Sequence, residues 1–185
     1  MNLYNYCSKE KYELREVLTG VYHDGGHSVA SDGHLLIIDK VTEYPAEYEQ
    51  KTVQKDGTII NGKYPNYNAV IPRRDPAAVV SIDPAKLKQA VETHKTNPYI
   101  LAVLQSGNIK VCFDVKLLKR FFTALKSFKI KDILLYSPSH SAHGQNENGT
   151  ALIMPRYYTE HNDVYDVTAG TDTEFIKGSA FTTGR

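Results

Sequence analysis

The chain opens on alternating apolar runs and tight polar turns. Val17 to His23 is mostly apolar and stops at Asp24-Gly25-Gly26, where glycine supplies the positive φ of a tight turn. His27 to Ala30 reads as the returning strand, and Ser31-Asp32-Gly33 as a second turn. Leu35-Leu36-Ile37-Ile38 is an unbroken apolar run, the signature of a strand buried on both faces. From Thr42 to Gly62 the pattern turns polar, with Asp56-Gly57 as a hairpin turn; this predicts an exposed insertion over 42–62, in the form of a β-ribbon.

The second half changes period. Strand Val79 to Ile82 leads to Asp83-Pro84, an N-cap followed by proline at the first helical position. Leu87, Ala90, Val91 and His94 fall on one helical face, and Asn97-Pro98 ends that helix. Strands Tyr99 to Gln105 and Asn108 to Phe113 pair through Ser106-Gly107. Asp114 caps a second helix with a broad apolar face of Leu117, Leu118, Phe121, Phe122 and Leu125. Strand Ile133 to Tyr136, a loop from Ser137 to Gly149 and strand Ala151 to Met154 follow. The Thr/Gly/Ser-rich stretch 168–185 reads as a loosely ordered tail after a single domain over 1–167. Strand–helix–strands occurs twice. That excludes a doubly wound parallel sheet and leaves an α+β fold, two helices packed on antiparallel sheets.

Composition narrows the class. A formal net charge of +1 gives no bulk attraction to nucleic acid, so any such affinity must come from local clustering. Cys7 and Cys112 are far apart with no CxxC, which reads as two reduced thiols in a cytoplasmic protein. The N-terminus lacks a signal-peptide core, and no apolar run approaches the roughly 20 residues that span a bilayer.

Charge is clustered on the second helix and its exit: Lys116, Lys119, Arg120, Lys126, Lys129 and Lys131, with no acid between Val115 and Ile130. Lys116, Lys119, Arg120 and Thr123 share one stripe, opposite Leu118, Phe121 and Leu125. Lys86, Lys88 and Lys95 add to it from the first helix. A solvated helix face is the ordinary reading of such a stripe. The missing acids favour instead a face for phosphates, contacted without regard to base sequence.

Three segments then resemble one family. Ala30-Ser31-Asp32-Gly33-His34-Leu35-Leu36 is similar to the ATDGHRL segment of the bacterial DNA polymerase III beta subunit, the sliding clamp. Gly62 to Pro72 (GKYPNYNAVIP) is similar to its GRFPDYRRVLP segment, and Leu152-Ile153-Met154-Pro155-Arg156 to its VVMPMR segment. The resemblance touches most of 14–157 and leaves out 41–60, 137–149 and the tail. It implies a DNA clamp-like (processivity) fold and a non-enzymatic replication or repair accessory protein without cofactors. Its partners would be duplex DNA and a polymerase or other replication proteins that dock short hydrophobic peptides, and the chain would be a possible homo-oligomer. The DNA-facing residues would be Lys86, Lys88, Lys116, Lys119, Arg120 and Lys126. The peptide pocket would use Ser31, Gly33, His34 and Leu36, then Pro65 and Val70, then Leu152, Met154 and Pro155. Leu35 and Ala69 stand where the family has arginine, so the pocket should be more apolar on one side. The chain holds about one clamp domain, where the family's subunit holds three.

Two other readings compete. A protein-interaction module could keep the pocket without encircling DNA. A metal-dependent hydrolase could use His23, His27 and His34, although a Gly-Gly turn separates the first two and removes the helical i, i+4 geometry that suits zinc. No GxSxG elbow accompanies Ser31, Asp32 and His34. His140 and His143 lie in the expected 137–149 loop and read as solvent-exposed.

Overall fold

The computed structural model describes residues 1–9, 15–159, 162–172 and 175–176. The two helices form where capping predicts them. Asp83 accepts hydrogen bonds from the Ala85 and Lys86 amides, at 2.8 and 3.3 Å, and opens α1 (Pro84–Thr96). Asp114 accepts from the Leu117 amide at 2.9 Å and opens α2 (Val115–Phe128). Each cap satisfies backbone donors that the first helical turn leaves orphaned.

The strands are β1 (Val21–Asp24), β2 (His27–Ser31), β3 (Leu35–Asp39), β4 (Thr52–Val53), β5 (Ile59–Ile60), β6 (Ala78–Val80), β7 (Leu101–Ser106), β8 (Ile109–Asp114), β9 (Ile133–Leu135), β10 (Ala142–Gln145), β11 (Gly149–Ile153), β12 (Val164–Asp166) and β13 (Phe175–Ile176). Nine of them make one antiparallel sheet in the order β5-β4-β1-β2-β3-β11-β10-β9-β6. The other four make a second sheet, β13-β12-β7-β8, in which β12 runs parallel to β7.

Period-2 alternation divides the interior. On β3, Leu35 and Ile37 join the main core, which includes Leu118, Phe121, Leu125 and Phe128 of α2 and Ala102, Leu104, Val111 and Phe113 of the second sheet. Leu36 and Ile38 face the opposite side and pack with Val29, Leu152, Tyr64 and Tyr67. Two distinct cores therefore claim the two faces of one strand, which explains its unbroken apolar run. On β7, Leu101 and Val103 turn to a third cluster with Cys112 and Val164.

Five expectations need correction. Val17 lies in a 3-10 turn (Glu16–Thr19), and β1 starts only at Val21. The insertion does hold the hairpin β4–β5, but the hairpin extends the sheet from β1, and Thr52 and Val53 are buried. The expected loop from Ser137 to Gly149 contains β10. His143 on it is buried and stacked on Tyr136, with centroids 5.6 Å apart, whereas His140 is exposed. Strand β12 had no counterpart in the sequence pattern. The expected loose tail starts with a residue that is buried: Thr168 bridges Ile82. Strand β13 pairs with β12 further on. Residues 173–174 and 177–185 of that tail lie outside the described residues.

Candidate functional site

The turn at Ser31 to Leu35 is fixed by its own side chains. Asp32 Oδ1 accepts from the amides of His34 (3.0 Å) and Leu35 (2.8 Å). Ser31 Oγ donates to the Leu35 carbonyl (2.7 Å) and accepts from the Gly33 amide (3.1 Å). Gly33 has φ +86°, a left-handed conformation that strains any residue with a Cβ. The result is an exposed His34 held at the end of β3. The Met154 amide donates to the His34 carbonyl at 2.9 Å, extending the β3–β11 ladder in which Leu36 faces Leu152. The segment 64–70 crosses this sheet face. Tyr64 stacks flat on Tyr22 of β1 (4.7 Å, 5°), and the Tyr67 hydroxyl donates to Asp24 Oδ2 at 2.9 Å.

These three segments enclose a cleft of ≈ 160 Å³. Eight of the nine expected pocket positions line it: Ser31, Gly33, His34, Leu36, Pro65, Val70, Leu152 and Met154. Pro155 does not. The chain leaves the sheet after Met154, and the Arg156 amide donates to the Cys112 carbonyl at 2.8 Å, carrying the segment over to β8. Arg15, Leu18, Leu35, Tyr64, Asn66 and Tyr67, none of them among the nine expected positions, complete the wall. Leu36 and Leu152 are buried at the base, while Val70 (49% exposed) and Met154 (39%) stand at the rim. The apolar surface is therefore open to a ligand. Burial raises the Tyr64 hydroxyl far above its usual range. Burial first, and then its bond to Asp24, pushes Tyr67 up to about 12. Both stay neutral at any physiological pH.

A second, polar groove of ≈ 600 Å³ continues from the cleft and shares Arg15, Leu18, Gly33 and His34 with it. Cys7, Ser8, Lys9, Asp32 and Arg120 line the remainder. Burial pushes the Cys7 thiol up to about 12, so it stays protonated and unreactive.

The basic residues divide. Lys88, Lys116, Lys119 and Lys126 are exposed. Three of them, Lys88, Lys119 and Lys126, border a groove of ≈ 630 Å³ between α1 and α2, with Leu87, Val91 and Phe122 also lining it. Lys126 Nζ sits 5.9 Å from the Phe122 ring centroid. Lys86 is buried: its ammonium donates to the carbonyls of Thr168 (3.1 Å) and Thr171, and to Thr171 Oγ1 (3.0 Å). It cannot reach a phosphate while those bonds hold. Arg120 is half-buried, with Nη1 2.5 Å from Asp32 Oδ2 and Nη2 2.9 Å from the Asn5 carbonyl. Glu92 also lines the groove, and Lys95, at 2.6 Å, holds its carboxyl below the usual range, with Lys88 and Lys119 contributing.

The histidine set does not assemble. His23 is buried, 3.0 Å from Ser28 Oγ and packed against Tyr44 and Tyr48, and burial lowers its pKa. His27 is partly exposed opposite Asp24, and His34 sits at the mouth of the cleft. Among the described residues, no three His, Cys, Asp or Glu side chains gather into a group able to hold a metal ion.

No family model matches the chain, and no curated protein sequence matches it. Solved structures do. A DNA polymerase sliding clamp from Pseudomonas aeruginosa superimposes with a TM-score of 0.63 at 18% identity, over 83% of this chain and 62% of that one. The Caulobacter crescentus pol III beta gives 0.61 at 16%, over 84% and 63%. The chain has the sliding-clamp fold. The Helicobacter pylori beta clamp, solved with a DNA ligase peptide bound, gives 0.61 at 11%, over 84% and 61%. The chain thus spans about three fifths of the length of the clamps it matches. Among the described residues no helix is long and apolar enough to cross a membrane.

Proposed function

We propose that this chain is a non-enzymatic accessory protein of DNA replication or repair that captures short hydrophobic peptides of partner proteins in the cleft between β3, β11 and segment 64–70. One observation carries the reading. Three segments distant in sequence, each similar to a sliding-clamp motif, meet to build one apolar cleft open at its rim. A clamp of the same fold has been solved with a peptide of DNA ligase. A cavity of about 150 Å³ suffices for a benzene ring, so ≈ 160 Å³ accommodates one leucine or aromatic anchor. The polar edge of the cleft would orient that anchor's backbone.

The exposed lysines of α1 and α2 would meet duplex DNA through its phosphates, without sequence preference. Titrating labelled duplex DNA at two salt concentrations tests this half: affinity should fall steeply with salt and be lost in Lys116→Glu/Lys119→Glu. Salt-independent binding, or an unchanged affinity of the variant, would refute it. The buried Lys86 and the paired Arg120 favour a second reading, a peptide-binding module that does not encircle DNA. The same titration decides between them, because such a module ignores DNA and still binds peptide.

A further inference from the structure

The apolar cleft is continuous with a groove of different chemistry. Arg15, Leu18, Gly33 and His34 belong to both. A chain anchored by an apolar side chain in the first therefore lays its neighbouring residues in the second. Among the described residues, that groove holds three permanent cations, Lys9, Arg15 and Arg120, and one carboxylate, Asp32. Asp32 is consumed by the turn and by Arg120: Oδ1 takes two amides and Oδ2 the guanidinium. Arg120 is consumed in return by Asp32 and the Asn5 carbonyl. Lys9 and Arg15 are exposed and make no ion pair with another described residue. Leu18, from the 3-10 turn, joins the groove to the cleft.

We infer that the partner peptide carries acidic side chains next to its hydrophobic anchor, and that Lys9 and Arg15 select for them. This rests on the cleft being the peptide site and adds the charge of the ligand. Phosphates of a nucleic acid would suit the same cations. The peptide is favoured because the cations share a continuous surface with the apolar cleft, which offers nothing to a phosphate backbone. Contacts of this kind steer encounter and discriminate between partners more than they add affinity.

The test uses the whole chain and two fluorescent peptides with the same Leu and Phe anchors, one flanked by two Asp and the other by two Asn. Fluorescence polarisation should show the acidic peptide binding roughly 3- to 10-fold tighter at low salt, the size of one or two exposed ion pairs. The gap should close in Lys9→Ser/Arg15→Ser and at high salt. Equal affinities for the wild type, with Met154→Lys still weakening both peptides, would overturn the inference and leave the cleft reading intact. Binding of neither peptide would overturn both. A duplex DNA that loses affinity in Lys9→Ser/Arg15→Ser, with the peptide gap unchanged, would assign these cations to phosphate and overturn the inference as well.

Discussion

Arg120 of α2 grips Asp32, 88 residues earlier in the chain, with Nη1 2.5 Å from Oδ2, while the other oxygen of Asp32 holds the turn at the mouth of the cleft. A cation that helical spacing assigns to a basic face instead braces the turn at the mouth of the cleft. Removing either partner should loosen the turn. A double-mutant cycle of Asp32→Asn and Arg120→Gln, followed by urea unfolding, should show a coupling of about 1 kcal/mol, as expected for a partly buried, hydrogen-bonded ion pair. A coupling near zero would mean the contact does not stabilise the fold.

Lys86 and Lys119 should separate stability from DNA affinity. Lys86→Ala leaves two backbone carbonyls without their ammonium donor and should cost about 1–3 kcal/mol in unfolding free energy. The salt dependence of DNA binding should not change, because each phosphate contact contributes about one unit to that slope and Lys86 makes none. Lys119→Ala should do the reverse. A lower salt slope in Lys86→Ala would show that its ammonium reaches phosphate after all.

Acid should destabilise the protein through His143. Its folded pKa is lowered from 6.5 by burial under Tyr136, so the unfolded chain binds a proton more readily than the folded one. Its contribution is complete above about pH 6.5 and is lost as pH falls toward the folded value, by at most about 1.4 kcal/mol per pH unit. His23 acts in the same direction, its burial partly offset by Glu49. Urea midpoints at pH 7 and pH 5 should differ more for the wild type than for His143→Phe. Parallel pH curves would contradict this assignment.

Gly149 admits no side chain. A Cβ there would lie 2.5 Å from the Phe128 ring and 2.6 Å from the Ile38 carbonyl oxygen, between α2 and the sheet. Gly149→Ala should therefore cost about 1–3 kcal/mol, the range of core overpacking. A neutral result in chemical denaturation would show that the helix can shift away from the sheet.

The same contact explains what the sequence could not reveal. Capping signals at Asp83 and Asp114 depend on near neighbours and are legible in order, as is the turn at Asp32-Gly33. Strand β10 reads as a loop because Gly144 must be small: a Cβ there would lie within 2.9 Å of Leu125, Ile130 and Asp132. The close approach of α2 sets the composition, and composition alone suggests a turn. Helical spacing places Lys86 on a surface, but its partners lie 82 and 85 residues away. The cleft was largely legible because its motifs were recognisable as segments. The pattern alone does not place Tyr64 and Tyr67 in the wall, because their position depends on how 64–70 crosses the sheet, and Pro155 lies outside the cleft because the chain departs to β8.

The most direct test of the peptide cleft uses the two methionines, Met1 and Met154. Met154 stands at the rim of the cleft and Met1 lies outside it. In a spectrum of the protein labelled with carbon-13 at the methionine methyls, addition of a peptide with Leu and Phe anchors should shift the Met154 resonance saturably and leave Met1 in place. A Met154 signal that stays fixed at millimolar peptide would contradict the account.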